Sequence, residues 1–128
     1  VGALIGLDGL SLKQIFGVVF YSISWCMGVH EADLLHFGNL LGTKVSINEF
    51  VAFVDLGALQ GVMTERSTTI ATYALCGFAN FSSIGIQIGG ISSVAPNRRK
   101  DLAMIGLKAM AGGAIASWLT ACVAVVLL

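Results

Sequence analysis

A long uncharged run, residues 67–97, lies between Arg66 and Arg98 and divides the chain's hydrophobic pattern at one point. Ile70-Ala71-Thr72-Tyr73-Ala74-Leu75 precedes that point and Ile84-Gly85-Ile86-Gln87-Ile88 follows it. The centre reads Cys76-Gly77-Phe78-Ala79-Asn80-Phe81-Ser82-Ser83. A helix needs about 20 mostly apolar residues to cross the hydrocarbon core of a bilayer. The run is long enough, but a glycine, an amide and two hydroxyls at its middle are costly there unless they face protein, water or a ligand. The pattern predicts a broken helix over 67–95, which is how many secondary transporters build a substrate site.

Downstream, Pro96-Asn97-Arg98-Arg99-Lys100-Asp101 predicts a short basic loop, and three positive charges there indicate the cytoplasmic side. Residues 102–128 carry only Lys108 as a charge and predict a spanning helix that ends outside, with Lys108 snorkelling toward the loop. Gly106, Ala109, Gly112, Gly113, Ala116 and Ser117 give that helix small residues for close packing. Upstream, residues 31–60 predict a re-entrant hairpin of two short helices, 32–41 and 49–59, joined by Gly42-Thr43-Lys44-Val45-Ser46-Ile47-Asn48. Neither arm is long enough to span at about 1.5 Å per residue. Residues 11–28, short for a span, predict an in-plane interfacial helix with a membrane span as the alternative, and Ser11 and Gln14 stand at capping-box spacing. Residues 1–9 look like the end of an upstream membrane helix followed by a turn, as in a piece of a longer protein.

Composition strengthens the membrane assignment. Hydrophobic residues make up 56% of the 128 and charged residues 11%, against about 25% charged in soluble domains; mean hydropathy is +0.89. The chain is thus expected to be an all-α membrane protein. Zero net charge and no basic face with interleaved aromatics exclude nucleic acid as a partner. Cys26, Cys76 and Cys122 form no Cys-x-x-Cys pair and are expected to pack as small residues.

Candidate chemistry is sparse. Glu49 is the one acid between Gly42 and Val54, and an ionisable residue at a membrane hairpin tip is a ligand or ion contact by default. The alternatives are a carboxylate favoured by the helix N-terminus or an ion-pair partner of Lys44. His30 and His36, six residues apart, fall on different helical faces and have no evident metal partners, so no metal site and no cofactor are expected. An intramembrane hydrolase would need Ser83 as nucleophile and His30 or His36 as base. A structural membrane module would use Asn80 and Ser83 only to join helices.

The blocks Gly42-Thr43-Lys44, Asn48-Glu49-Phe50-Val51-Ala52, residues 71–84 and Ile86-Gln87-Ile88-Gly89-Gly90 closely resemble the concentrative nucleoside transporter family, in its C-terminal part and over essentially the whole chain. The resemblance implies a plasma-membrane homotrimer, with the bacterial inner membrane expected, that takes up nucleosides with a coupling ion, sodium or proton. This chain would be the second half of an inverted repeat: hairpin, broken helix and last helix. The missing first half would supply the ion ligands and the residues that read the base. The resemblance also implies the site residues: Glu49, Asn80 and Ser83 on the ribose and Phe78 against the nucleobase. For Phe78 simple packing is the alternative, and for Ser83 a hydroxyl bonded back to the preceding turn.

Overall fold

The computed structural model describes the backbone of residues 12–127 and the side chains from residue 15 to residue 127. The anticipated Ser11 cap, the Gln14 side chain and the upstream helix end over 1–9 lie outside the described residues. Among those described, six α-helices follow one another: α1 (Leu12–Cys26), α2 (Leu34–Ser46), α3 (Glu49–Ala58), α4 (Glu65–Leu75), α5 (Phe81–Val94) and α6 (Arg99–Leu127). Short 3-10 turns, Glu31–Asp33 and Pro96–Arg98, introduce α2 and α6.

The hairpin differs from expectation in one respect. Its first arm, α2, runs on through Gly42, Thr43 and Lys44, so only Ile47 and Asn48 connect it to α3. Gly42 is disfavoured in a helix on propensity, but packing decides here: a Cβ on Gly42 would run into Phe16 of α1. Gly38, one turn earlier, lies so close to α1 that an added Cβ would sit 2.6 Å from the Gly17 carbonyl oxygen. The spacing Gly38-x-x-x-Gly42 thus lets α1 lie directly on α2. Gly38→Ala would force backbone apart, since a carbonyl cannot rotate away as a side chain can. It is expected to cost about 1–3 kcal/mol, seen as a lower melting temperature of the full-length parent. An unchanged melting temperature would refute the close approach.

The core lies where α2 and α4 meet, through Leu34, Phe37, Leu40, Leu41, Ile70 and Leu75, all buried. Phe20 of α1 and Trp118 of α6 close it edge to face, with ring centroids 5.7 Å apart. At the base of the hairpin, buried Asp33 ties the start of α2 to the start of α4. Its Oδ2 accepts from the Thr64 backbone N–H at 3.1 Å and hydroxyl at 2.7 Å, and Thr64 in turn caps α4 by accepting from Ser67 N–H. Burial pushes the Asp33 carboxyl pKa up, but the Thr64 and Ser67 hydrogen bonds and the nearby His30 outweigh it and hold the value below the ordinary range. A carboxyl whose folded-state pKa is lowered stabilises the fold above its ordinary pKa, and that contribution fades as pH falls through the lowered value. Asp33→Asn should therefore flatten the melting-temperature profile across that acid window; an identical profile would remove Asp33 from the acid response.

Downstream, the basic stretch is not all loop. Arg99 and Lys100 already belong to the first turn of α6, and Arg98 pairs with Asp101 at 2.8 Å on the surface. With its leading turn α6 forms an apolar segment, Pro96–Leu127, long enough to cross a membrane. Its small residues do not share one role. Gly113 faces Ala79 and Gly106 faces Ile84, whereas among the described residues an added Cβ on Gly112 would meet nothing within 4 Å. The cysteines also diverge from a uniform packing role: Cys122 packs against the core, but Cys26 and Cys76 are exposed in this chain.

Candidate functional site

Two interruptions in the helices meet at the site. One is the hairpin tip, Ile47 and Asn48. The other is the break at residues 76–80 between α4 and α5. Gly77 takes φ +115°, a conformation that L side chains rarely adopt, and so permits the chain to leave the α4 axis there.

Each interruption ends in an asparagine that starts a new helix. Asn48, in extended backbone, accepts from Val51 N–H at 2.9 Å and caps α3. Asn80, also extended, accepts from Ser83 N–H at 2.8 Å and caps α5. The Ser83 hydroxyl completes a capping box: it accepts from the Asn80 N–H at 3.2 Å and donates to the Asn80 carbonyl at 2.6 Å. Ser82 donates to Asn80 Oδ1 at 2.6 Å, its hydroxyl lying 3.4 Å from the Ile47 carbonyl of the tip. The Asn80 amide then reaches across, and Nδ2 donates to Glu49 Oε2 at 2.8 Å. Asn80 and Ser83 are buried; Phe78, between them and Gly77, is 47% exposed.

The electrostatics follow from which helix ends converge. Glu49 opens α3 and Asn80 precedes α5, so two positive helix ends share the Glu49 carboxylate. Lys44, in the last turn of α2, lies at the negative end of α4. Its ammonium donates to the Ala74 carbonyl at 2.8 Å, the Cys76 carbonyl at 3.3 Å and Ser117 Oγ at 2.9 Å. These use all three donors of a lysine. Glu49 is accordingly not its hydrogen-bonded ion-pair partner; of the two alternatives weighed for this acid, the helix-terminus one describes its position. The separation of charge is simple: the cation sits with the carboxyl ends, the anion with the amino ends.

Of the four anticipated site residues, Glu49 and Asn80 are hydrogen-bonded, Ser83 is bonded to Asn80, and Phe78 borders a cavity that Ser83 also lines. That cavity, about 110 Å³, is completed by Gln87, Met110 and Gly113 among others, and is far below the roughly 300–1,000 Å³ of a small-molecule site. The chain alone therefore encloses no full ligand volume there. A larger groove of about 580 Å³ lies between α1 and the start of α2, along Tyr21, Trp25 and Glu31, and shares no residue with the site. None of the polar residues at the helix break lines it, which makes it the poorer candidate.

The hydrolase alternative gains no support from the geometry of the described residues. Among the described residues the Ser83 hydroxyl is engaged by the Asn80 backbone. His30 caps the turn before α2 with its Nδ1, and His36 lines a separate cavity with Asn39 and Asp55. Sequence reasoning missed two participants. Ser82 bridges tip and break, and Ser117, anticipated as a packing residue, accepts from Lys44. The cue for both was the same: a hydroxyl residue on an otherwise apolar segment that has to face a polar partner.

Comparison with known proteins places this geometry in context. Residues 1–125 match the family model described as "Na+ dependent nucleoside transporter C-terminus". An uncharacterized transporter of Bacillus subtilis, YutK, is 44% identical over 94% of this chain and 30% of its own length. Solute carrier family 28 member 3 of mouse is 41% identical over 98% of this chain and 20% of its own. Among solved structures, CNTnw in an inward-facing substrate-bound state superposes with a TM-score of 0.88 at 36% identity, covering 97% of this chain and 31% of that one. The chain thus spans about a third or less of the relatives it matches. A family model met over almost every residue, close relatives among named transporters and a shared all-helical fold lead to one assignment: the chain belongs to the concentrative nucleoside transporter family, and it is that family's C-terminal region.

Proposed function

We propose that this chain is the ribose-binding part of an ion-coupled nucleoside uptake transporter. The observation that carries this reading is the Glu49–Asn80 hydrogen bond across the hairpin tip and the helix break. It brings a carboxylate and an amide to one place, at two helix N-termini, beside an exposed aromatic. Glu49 accepts from ribose hydroxyls through charge-assisted hydrogen bonds, which are strong where water is excluded. Its Oε2 is engaged by Asn80, and Oε1 has no hydrogen-bond partner among the described residues. Asn80 joins the ribose through its amide and Ser83 through its hydroxyl, each exchanging part of its present bonding for the ligand. Phe78 lies against the base, offering a face or an edge.

In the membrane, α2 and α3 form the re-entrant hairpin, α4 and α5 the broken helix, and α6 the spanning helix, with residues 96–101 cytoplasmic and the C-terminal end outside. The protein works as a homotrimer in the plasma membrane, the bacterial inner membrane in the case of a bacterial source. A first half supplies the rest of the cavity wall and the ligands of the coupling ion, sodium or proton. The small cavity beside Phe78 fits a site closed from two sides.

The test is uptake of labelled uridine into vesicles holding the full-length parent, with and without a sodium gradient. Saturable uptake above that of empty vesicles is expected, and its response to the gradient names the ion. Uptake equal to empty vesicles from folded protein would overturn the substrate class. A structural module is the second reading, since Asn80 and Ser83 also satisfy each other. The Asn80 variants described below separate the two.

A further inference from the structure

Lys44 is a fully buried cation in an apolar setting, and the ribose site makes no use of it. A buried charge persists only where it is paired or fully hydrogen-bonded. Among the described residues, the ion pair present is Arg98–Asp101 on the surface, far from Lys44 in the chain. What surrounds the ammonium is oxygen that carries no formal charge: two main-chain carbonyls and one hydroxyl, at 2.8, 3.3 and 2.9 Å. Ala74 contributes one of the carbonyls that a helix leaves unpaired in its last turn, and Cys76 contributes the first carbonyl beyond the helix end. The Ser117 hydroxyl donates to the Ala114 carbonyl at 2.9 Å, so its lone pairs face the cation. Carbonyls at an unwound segment and a half-helix C-terminus are the groups with which membrane proteins hold monovalent cations.

We infer that the Lys44 ammonium is the built-in occupant of an oxygen-lined cation site at the helix break, and that shortening the side chain opens this site to a small free cation such as an alkylammonium. The lysine stem, anchored in α2, delivers the charge from one element onto carbonyls of a second and a hydroxyl of a third. A tethered cation cannot diffuse away, so the ammonium stays at this corner of the molecule in every state that preserves the three bonds. Lys44 is then a positioning residue: it holds the break that presents Asn80 to Glu49 without touching the ligand.

The test uses the full-length parent carrying Lys44→Ala or Lys44→Met, followed by melting temperature and by labelled-uridine uptake. Ethylammonium is compared with tetraethylammonium at equal ionic strength. Lys44→Ala should melt lower and transport about tenfold or more slower, since it removes hydrogen bonds from a charged donor and leaves buried carbonyls unsatisfied, and ethylammonium should restore both in a saturable way while the bulky cation does not. Lys44→Met fills the space without charge, so it should lose both and recover neither. Wild-type behaviour of Lys44→Met would overturn the inference. So would Lys44→Ala that gains nothing from ethylammonium, gains as much from tetraethylammonium, or yields no folded protein even when purified in ethylammonium. Melting needs no substrate: ethylammonium-dependent melting together with absent uridine uptake by wild type would leave the cation site standing and remove the transport reading alone.

Discussion

Glu49→Gln in the full-length parent is expected to weaken nucleoside binding about 5- to 150-fold, the equivalent of about 1–3 kcal/mol for a hydrogen bond to a buried charged group. The substitution is nearly isosteric, and the glutamine carbonyl can still accept from Asn80 Nδ2, whose present distance to Glu49 is 2.8 Å. Folding should therefore survive. What disappears is the negative charge at the junction of two helix N-termini, and with it the second strong acceptor that a pair of ribose hydroxyls requires. Half-saturation for labelled uridine should rise while the melting temperature without substrate stays near that of wild type. Unchanged uptake affinity would take Glu49 out of the site whatever its contacts in the free protein.

Replacing Asn80 separates binding from architecture. Asn80 caps α5 through Oδ1 and reaches Glu49 through Nδ2, and these are different atoms of one amide. Asn80→Asp keeps an acceptor for the Ser83 N–H, and aspartate caps a helix about as well as asparagine does. It also puts a second carboxylate where a donor stood, 2.8 Å from Glu49 Oε2. Two carboxylates at that range cannot both ionise comfortably, so one must take up a proton. Asn80→Asp should thus lose uridine uptake almost completely near neutral pH, with partial return on acidification as the pair shares a proton. Asn80→Ala should instead lose the cap, at about 0.5–2 kcal/mol, and lower the folded yield as well as uptake. Full uptake per folded molecule in both variants would favour a purely structural role for this amide.

Much of the fold was legible because membrane-like hydrophobicity and its interruptions are written in single residues. The break at 76–80 follows from glycine, amide and hydroxyls inside an uncharged run, and the helices on either side come out at Glu65–Leu75 and Phe81–Val94, close to the anticipated 67–95. The first hairpin arm was read too short because Gly42 looks like a loop residue. Its reason for being glycine is Phe16, a contact between segments distant in sequence. Lys44 shows the same limit from the electrostatic side. Its position near Glu49 in the chain suggested a local ion pair, yet its partners lie 30, 32 and 73 residues away. Asn80 was legible as a polar group needing a partner. That it also begins a helix, with Ser83 closing the capping box, depends on a backbone turn at Gly77 that sequence spacing alone does not fix.

The sorting of charge at the junction of the four helix ends has a consequence for motion. If α2 and α3 slid along α4 and α5 by one helical turn, about 5.4 Å, Lys44 would leave its carbonyls and Glu49 its donor together, each exchanging a compensating dipole end for none. The junction behaves as a keyed joint rather than a bearing. Hairpin and broken helix are held to one another at this junction, so a displacement that preserves both sets of contacts moves the two together.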